Sequence, residues 1–340
     1  MKFNTSIVNQ TKSLSKIHSK IKVITAITAI VLSPFGSAVQ AQTTLKWAHL
    51  YEVGSPYHQA TLWAAEEIKK QTNGRVIIKS FPSSSLGKEV EINEGLDFGS
   101  VDIIYTGTIF AGRSYGPMAI SSFPFVIRDY DHWKNYRDSD LFAEIKSGYE
   151  KKTNHNVTGF TYYGARHVTS NKAVNTPADM KGMKIRVPNA PMYLMFPKSV
   201  GANPSPLAFS EVYLALQQGL VDAQENPLPT IKFKRFYEVQ KYINLTGHMT
   251  NSIVTIVAKR ARGKLSESDY DKLVTVTQQA AVRASDEINE AEKNLSKWFQ
   301  EQGVTVNKVD RGPFISALKP QLESDDQPFT KQQLSRLQAL

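Results

Sequence analysis

An α/β fold in two similar halves, braced by one long helix, is predicted by three features of the 340-residue sequence. Strand-like and helix-like segments alternate at lengths that suit strand–helix–strand units with a parallel sheet. The pattern L-x-x-G-x-V-D occurs twice, at Leu96–Asp102 and Leu216–Asp222, in corresponding places of two such runs. A polar stretch rich in helix formers, from Ser266 to Gln302, is too long to belong to one half alone.

Each element has a local reason. Thr44–His49 alternates and reads as a strand. Gly54-Ser55-Pro56 starts a helix, with proline near its first position. Leu62, Ala65 and Ile68 carry the helical spacing to Lys70, and Asn73-Gly74 ends it. Arg75–Phe81 is a second strand, Pro82–Gly87 a loop, and Glu89–Phe98 a helix closed by Gly99. Val101–Tyr105 is a third, buried strand. The pattern restarts with a strand over Val157–Tyr163 and a short strand over Lys184–Val187, stopped by Pro188. Helices follow over Met192–Val200 and Ser210–Gln218, ended by Gly201 and Gly219, and then a strand over Val221–Gln224. In each copy of the repeat the glycine leaves the helix in the left-handed region and the aspartate ties the turn. Helix–Gly–strand joints are common enough to arise by chance, so the repeat is read either so or as the mark of two homologous lobes. Ser266 is the expected N-cap of the long helix. Its apolar stripe is Leu273, Val276, Ala280, Val282, Ile288, Ala291, Leu295 and Phe299, and Gly303 stops it. About 50 Å long at about 1.5 Å per residue, it should brace both lobes.

The formal net charge of +10 overstates how basic the folded part is. Residues 1–41 hold Lys2, Lys12, Lys16, Lys20 and Lys22 and no acidic residue. An apolar run, Val23–Leu32, follows, then Pro34, Gly36 and Ala38-Val39-Gln40-Ala41. A basic start, a short apolar centre and small residues before a cut site describe a secretory signal peptide, too short to span a membrane. Losing those five lysines leaves 36 basic against 31 acidic residues, a mild net charge of +5. The densest basic run, Lys232–Phe236, reads as a solvated helix face, and nucleic-acid binding is rejected. A cleaved leader with no second apolar span places the mature chain in the periplasm, where a chain without cysteine cannot mispair thiols.

The missing cysteine also excludes a disulfide framework, a thiolate nucleophile and cysteine metal sites. No phosphate-binding loop, dinucleotide fingerprint, nucleophile elbow or zinc-protease motif is present. The histidines show no metal-ligand spacing, and paired acids such as Glu66-Glu67 sit on a helix face as solvated charges. No cofactor, metal or catalytic set is expected. Arg186 stands out inside a short strand. A buried arginine needs a partner, which is either an internal carboxylate or the carboxylate of a ligand held by the planar fork. Arg166 can add a second positive group, and Asn226 an amide at the strand edge where open α/β sheets bind ligands.

At these residues the sequence resembles the periplasmic solute-binding proteins of tripartite ATP-independent periplasmic (TRAP) transporters. The resemblance covers nearly all of the mature chain. It is carried by FPSSSLGKE (Phe81–Glu89), TSNKAVNTPADMKGMKIRVPNAP (Thr169–Pro191), GANPSPLAFSEVYLALQQGLVDAQENP (Gly201–Pro227) and KRFYEVQKYINLTGH (Lys234–His248). It implies a two-lobe periplasmic-binding-protein clamshell with a long helix spanning both lobes. It implies Arg186 as principal carboxylate anchor, Arg166 as the second arginine, Asn226 as amide donor and Phe209 as pocket wall. Asn189 matches the asparagine of the family's R-V-P-N, Glu89 an acid that binds sugar hydroxyls in some members, and His49 a polar residue ending the first strand. His49 is equally well read as a satisfied structural histidine. Where sialic-acid binders carry a further acid, this chain has Gly107, so the implied ligand is a sugar acid such as glucuronate or galacturonate, with sialic acid or another organic acid as the alternative. The expected parts are a leader over 1–41, one lobe from 42–163 plus 252–291, and another from 164–251 plus 292–340. The implied partners are the organic acid and the membrane permease subunits. A sensory module presenting its ligand to a receptor, or an enzyme using Glu89 or His49 as base, is the remaining alternative.

Overall fold

The computed structural model describes residues 42–340. The leader expected over 1–41 lies outside the described residues. One mixed sheet carries the fold: β1 (Thr43–Ala48), β2 (Val76–Phe81), β3 (Ile103–Gly107), β4 (Asn156–Ser170), β5 (Lys184–Val187), β6 (Asn203–Pro206), β7 (Ala223–Pro227), β8 (Tyr242–Val257) and β9 (Thr305–Asn307). Its order, β2-β1-β3-β8-β4-β7-β5-β6 with β9 on β8, has the same plan at both ends. β1 lies between parallel β2 and β3, and β5 between parallel β6 and β7. Two long strands, β4 and β8, run antiparallel to each other in the middle and join the halves.

The repeated heptapeptide has the same job in each lobe. Gly99 and Gly219 both end their helices at positive φ, 77° and 67°. The side chain of Asp102 accepts the Lys46 backbone N–H at 2.9 Å, and Asp222 accepts that of Lys184 at 2.8 Å. Each aspartate also donates its own N–H to the same lysine's carbonyl, at 3.0 and 2.8 Å. One side chain thus clamps the third strand of each lobe to the first, in equivalent positions.

Helix α1 (Pro56–Gln71) is capped by the Ser55 hydroxyl, which accepts the His58 N–H, and α2 (Glu89–Phe98) closes on left-handed Gly99. The long helix runs Glu267–Glu301, with Ser266 accepting the Asp269 N–H at 3.1 Å. It supplies Leu273, Val276, Ala280, Ala284 and Ile288 to the first lobe's core. Leu295 and Phe299 enter a core on one face of the second lobe's sheet, while Phe196, Phe314 and Leu318 fill its other face. The helix therefore ties two separate cores, as its length suggested. Val282 corrects the predicted stripe: it is exposed, two residues round from Ala280 and away from that face.

Other expectations need correction. The helix expected over Met192–Val200 is a 3₁₀ turn, Pro191–Leu194, followed by Met195–Ser199. The one expected over Ser210–Gln218 is a 3₁₀ turn and a helix over Val212–Gln217. β4 continues seven residues beyond Tyr163, and β8 was not anticipated. Neither were the helices Tyr130–Arg137 and Asp140–Thr153, nor Gly312–Leu322 and Lys331–Gln338 at the C-terminal end.

β4 shifts register between Tyr162 and Gly164 and again between Arg166 and Val168. Gly164, at φ 113°, lies where a Cβ would come within 2.5 Å of the Glu292 carboxylate. From the long helix, Glu292 accepts the Ala165 N–H and the Tyr162 hydroxyl, each at 2.9 Å. Burial raises its pKa to about 7, although those two donors pull the other way. The folded chain thus keeps a proton that the unfolded chain has released above its ordinary value of 4.5. Stability from this group is present at low pH and is lost as pH rises through that window. Relative to Glu292→Gln, the native protein should lose about 1–3 kcal/mol between pH 5 and pH 8. A melting-temperature difference that stays constant over that range would refute this.

Candidate ligand-binding site

The carboxyl ends of the strands in both lobes face one cavity of about 360 Å³, between Tyr51, Glu89 and Gly107 on one side and Arg186, Leu207 and Phe209 on the other. Arg166 and Asn251, from the two connecting strands, form its floor.

Arg186 is held by β5, the central strand of the second lobe, and is 1% exposed. Its Nε and Nη2 donate to the Leu207 carbonyl at 3.0 and 2.7 Å. Its Nη1 is buried with no hydrogen-bond partner, and no Asp or Glu among the described residues forms an ion pair with it. Burial lowers its pKa to about 10, so it remains a cation at neutral pH. A buried cation with an idle donor is costly in water's absence and is satisfied by an anion entering the cavity.

Arg166 differs from the expectation of a second free charge. Its Nε and Nη2 pair with the Glu225 carboxylate, Nη2 also donating to the Glu225 carbonyl, and Nη1 donates to Asn251 Oδ1 at 3.0 Å. Burial alone would lower the Arg166 pKa, but Glu225 outweighs it and raises it. Burial would likewise raise Glu225, but Arg166 and His248 pull it below its ordinary value. Both side chains are 2% exposed, so this is an ion pair within the floor, its charge already met. Tyr193 lies under the guanidinium, 5.0 Å from ring centre to Cζ.

Glu89 opens α2 at the opposite wall. Its Oε1 accepts the Gly107 N–H at 2.7 Å and the Thr106 hydroxyl at 3.0 Å. Its other oxygen has no hydrogen-bond partner among the described residues. Burial raises its pKa, opposed by those two donors and by the arginines. Phe209 lines the cavity beneath the Lys234 ammonium, 5.0 Å away, and Asn189 lies at the exposed rim. Lys88 and Glu211, both on the cavity lining, pair at 2.5 Å, and Lys234 pairs with Glu52 at 2.8 Å. Lys234 comes from the basic run Lys232–Phe236, which is thus partly internal wiring.

Two expected residues do not line the cavity. His49 is buried behind Tyr51. Its Nδ1 accepts the Tyr51 N–H at 3.2 Å and its Nε2 meets His58 Nδ1 at 3.1 Å. Burial and His58 lower its pKa to about 3, keeping the ring neutral. Asn226 lies behind Tyr163: its amide donates to Gln224 at 2.6 Å and its carbonyl accepts the Tyr163 hydroxyl at 3.3 Å. Asn251 was missed. Its Oδ1 accepts from Arg166 and Tyr193, while its Nδ2 is buried without a partner among the described residues. Its only sequence cue is Thr250-Asn251-Ser252 within an unread strand. No cluster of three or more His, Cys, Asp or Glu able to hold a metal occurs among the described residues.

A solvent-excluded cation in the wall of an interlobe cavity, with hydrogen-bonding groups opposite, defines a receptor for a small organic acid. The chain belongs to the bacterial extracellular solute-binding proteins, family 7, whose family pattern matches residues 47–327. It is 34% identical to the sialic acid-binding periplasmic protein of Vibrio cholerae, over 94% of this chain and 100% of that one. It is 32% identical to a TRAP periplasmic solute-binding protein from Roseobacter denitrificans solved with L-galactonate, with a TM-score of 0.79 over 83% of this chain and 93% of that one. A TRAP periplasmic solute-binding protein from Polaromonas, solved with D-erythronate, is also 32% identical, with a TM-score of 0.84 over 88% and 99% of the two chains. No helix among the described residues is long and apolar enough to cross a membrane.

Proposed function

We propose that this protein is the periplasmic receptor of a TRAP transporter, taking up a sugar acid, a uronate or the related aldonate, and delivering it to the membrane permease subunits. The carrying observation is the idle Nη1 of Arg186, a nitrogen of the buried fork that meets no acceptor among the described residues. The carboxylate binds there, next to the Asn251 amide, and the hydroxyls reach Glu89. Relatives that hold L-galactonate and D-erythronate support a hydroxylated acid.

The lobes expected over 42–163 plus 252–291 and over 164–251 plus 292–340 then move about the register shifts of β4, next to Gly164 and Arg166. Closure excludes water and strengthens the charge-assisted bonds. The sialic-acid reading is favoured by the relative from Vibrio cholerae, and disfavoured by Gly107, whose N–H is already spent on Glu89.

A thermal-shift panel of uronates, aldonates, sialic acid and C4-dicarboxylates tests this. A hydroxylated monocarboxylate should raise the melting temperature, by mass action on the closed form, more than succinate or malate does. A panel in which no sugar acid stabilises the protein would refute the reading.

A further inference from the structure

The charges around the cavity pair off in a way that leaves little room for a second anion. Arg166 is neutralised by Glu225, Lys88 by Glu211 and Lys234 by Glu52. Among the described residues, the lining keeps one unpaired cation, Arg186, and one half-buried acid without a cationic partner, Glu89. Glu91, at the rim, is exposed and caps α2 through the Lys88 N–H.

Glu89 is fixed as an acceptor. The Gly107 amide and the Thr106 hydroxyl both donate to Oε1, and the Asn93 amide anchors the Thr106 oxygen at 2.8 Å. When Glu89 is ionised, its other oxygen can accept a ligand hydroxyl but has no proton to offer an incoming carboxylate. A second carboxylate placed there would face a like charge in a water-poor pocket, with the one free cation among the described lining residues already used.

We propose that Glu89 makes this site selective for acids with a single carboxylate and rejects aldarates, sugar acids that carry a carboxylate at each end. The inference rests on the sugar-acid reading of the site above. It concerns the far end of the ligand, where the aldonate has a primary alcohol and the aldarate of the same length has a carboxylate. Glu89 accepts from the first and repels the second.

The test is titration calorimetry of the full mature chain at pH 8 with galactonate and galactarate, which share chain length and inner hydroxyls. The native protein should bind the aldonate more tightly by at least about tenfold. Glu89→Gln, whose amide can donate to a carboxylate, should shrink that ratio by at least about tenfold, even though it also weakens the aldonate. Galactarate bound as tightly as galactonate by the native protein would overturn this inference and leave the receptor reading standing. An unchanged ratio in Glu89→Gln would overturn the role of Glu89. Binding of neither acid would overturn this inference and the aldonate part of the sugar-acid reading with it.

Discussion

Arg186→Lys should weaken sugar-acid binding roughly 30-fold to several-thousand-fold, the range set by about 2–5 kcal/mol for truncating one side of a buried charged pair. The native fork does two things at once. Nε and Nη2 hold the Leu207 carbonyl, and Nη1 stays free for a ligand. An ammonium on a flexible stem cannot keep that carbonyl and also present a second donor at a fixed angle. Arg186→Met separates binding from stability. It removes a cation that is buried and, without ligand, unpaired, so the empty protein should melt at the native temperature or above it. The ligand-induced rise should vanish. Tight binding by Arg186→Met, measured by calorimetry, would remove the anchor from the site.

The parts of the fold that could be read in advance were those with local causes. Pro56 after Ser55, Ser266 before a helical run, and the glycines at 99 and 219 each fix a boundary through a cap or a left-handed turn. β5 matched residue for residue because Gly182 and Pro188 bracket it. β8 had no such frame. It is buried on both faces along most of its length, yet carries Asn244, Thr246, His248, Asn251 and Ser252, so neither alternation nor an apolar run marks it. Most of those polar residues find partners on elements distant in sequence: Asn244 donates to the Val168 carbonyl of β4, and Ser252 accepts the indole N–H of Trp133 from the helix Tyr130–Arg137.

The site divides in the same way. A lone arginine in a short buried strand is a visible anomaly, so Arg186 could be singled out from the sequence itself. Glu89, Phe209 and Asn189 came only from the family resemblance, since nothing local marks an acid at a helix start as part of a pocket. The state of Arg166 was invisible because its partner, Glu225, lies 59 residues away and meets it only through the pairing of β4 with β7. His49 and Asn226 stand at strand ends, where ligands are expected, but Tyr51 and Tyr163 come between them and the cavity.

That hidden pair gives the largest expected effect on stability. Glu225→Gln keeps the shape of the side chain and deletes its charge, leaving Arg166 buried in the floor without compensation. Such a change costs about 3–5 kcal/mol, a fall in melting temperature of roughly 5–8 °C for a chain of this size. The consequence for binding runs the other way. With Glu225 neutral, Arg166 joins Arg186 as an unmet cation beside the same cavity, so a bound carboxylate relieves two charges instead of one. The stabilisation by saturating sugar acid should therefore be larger in Glu225→Gln than in the native protein, although the empty variant is weaker. Removing both charges, with Arg166→Met added to Glu225→Gln, should recover much of the loss, because a buried ion pair is worth little against an apolar replacement of similar volume. If Glu225→Gln instead melts with the native protein, the ion pair does not support the floor. If its ligand response is unchanged, Arg166 remains outside the ligand's reach even when its own partner has gone.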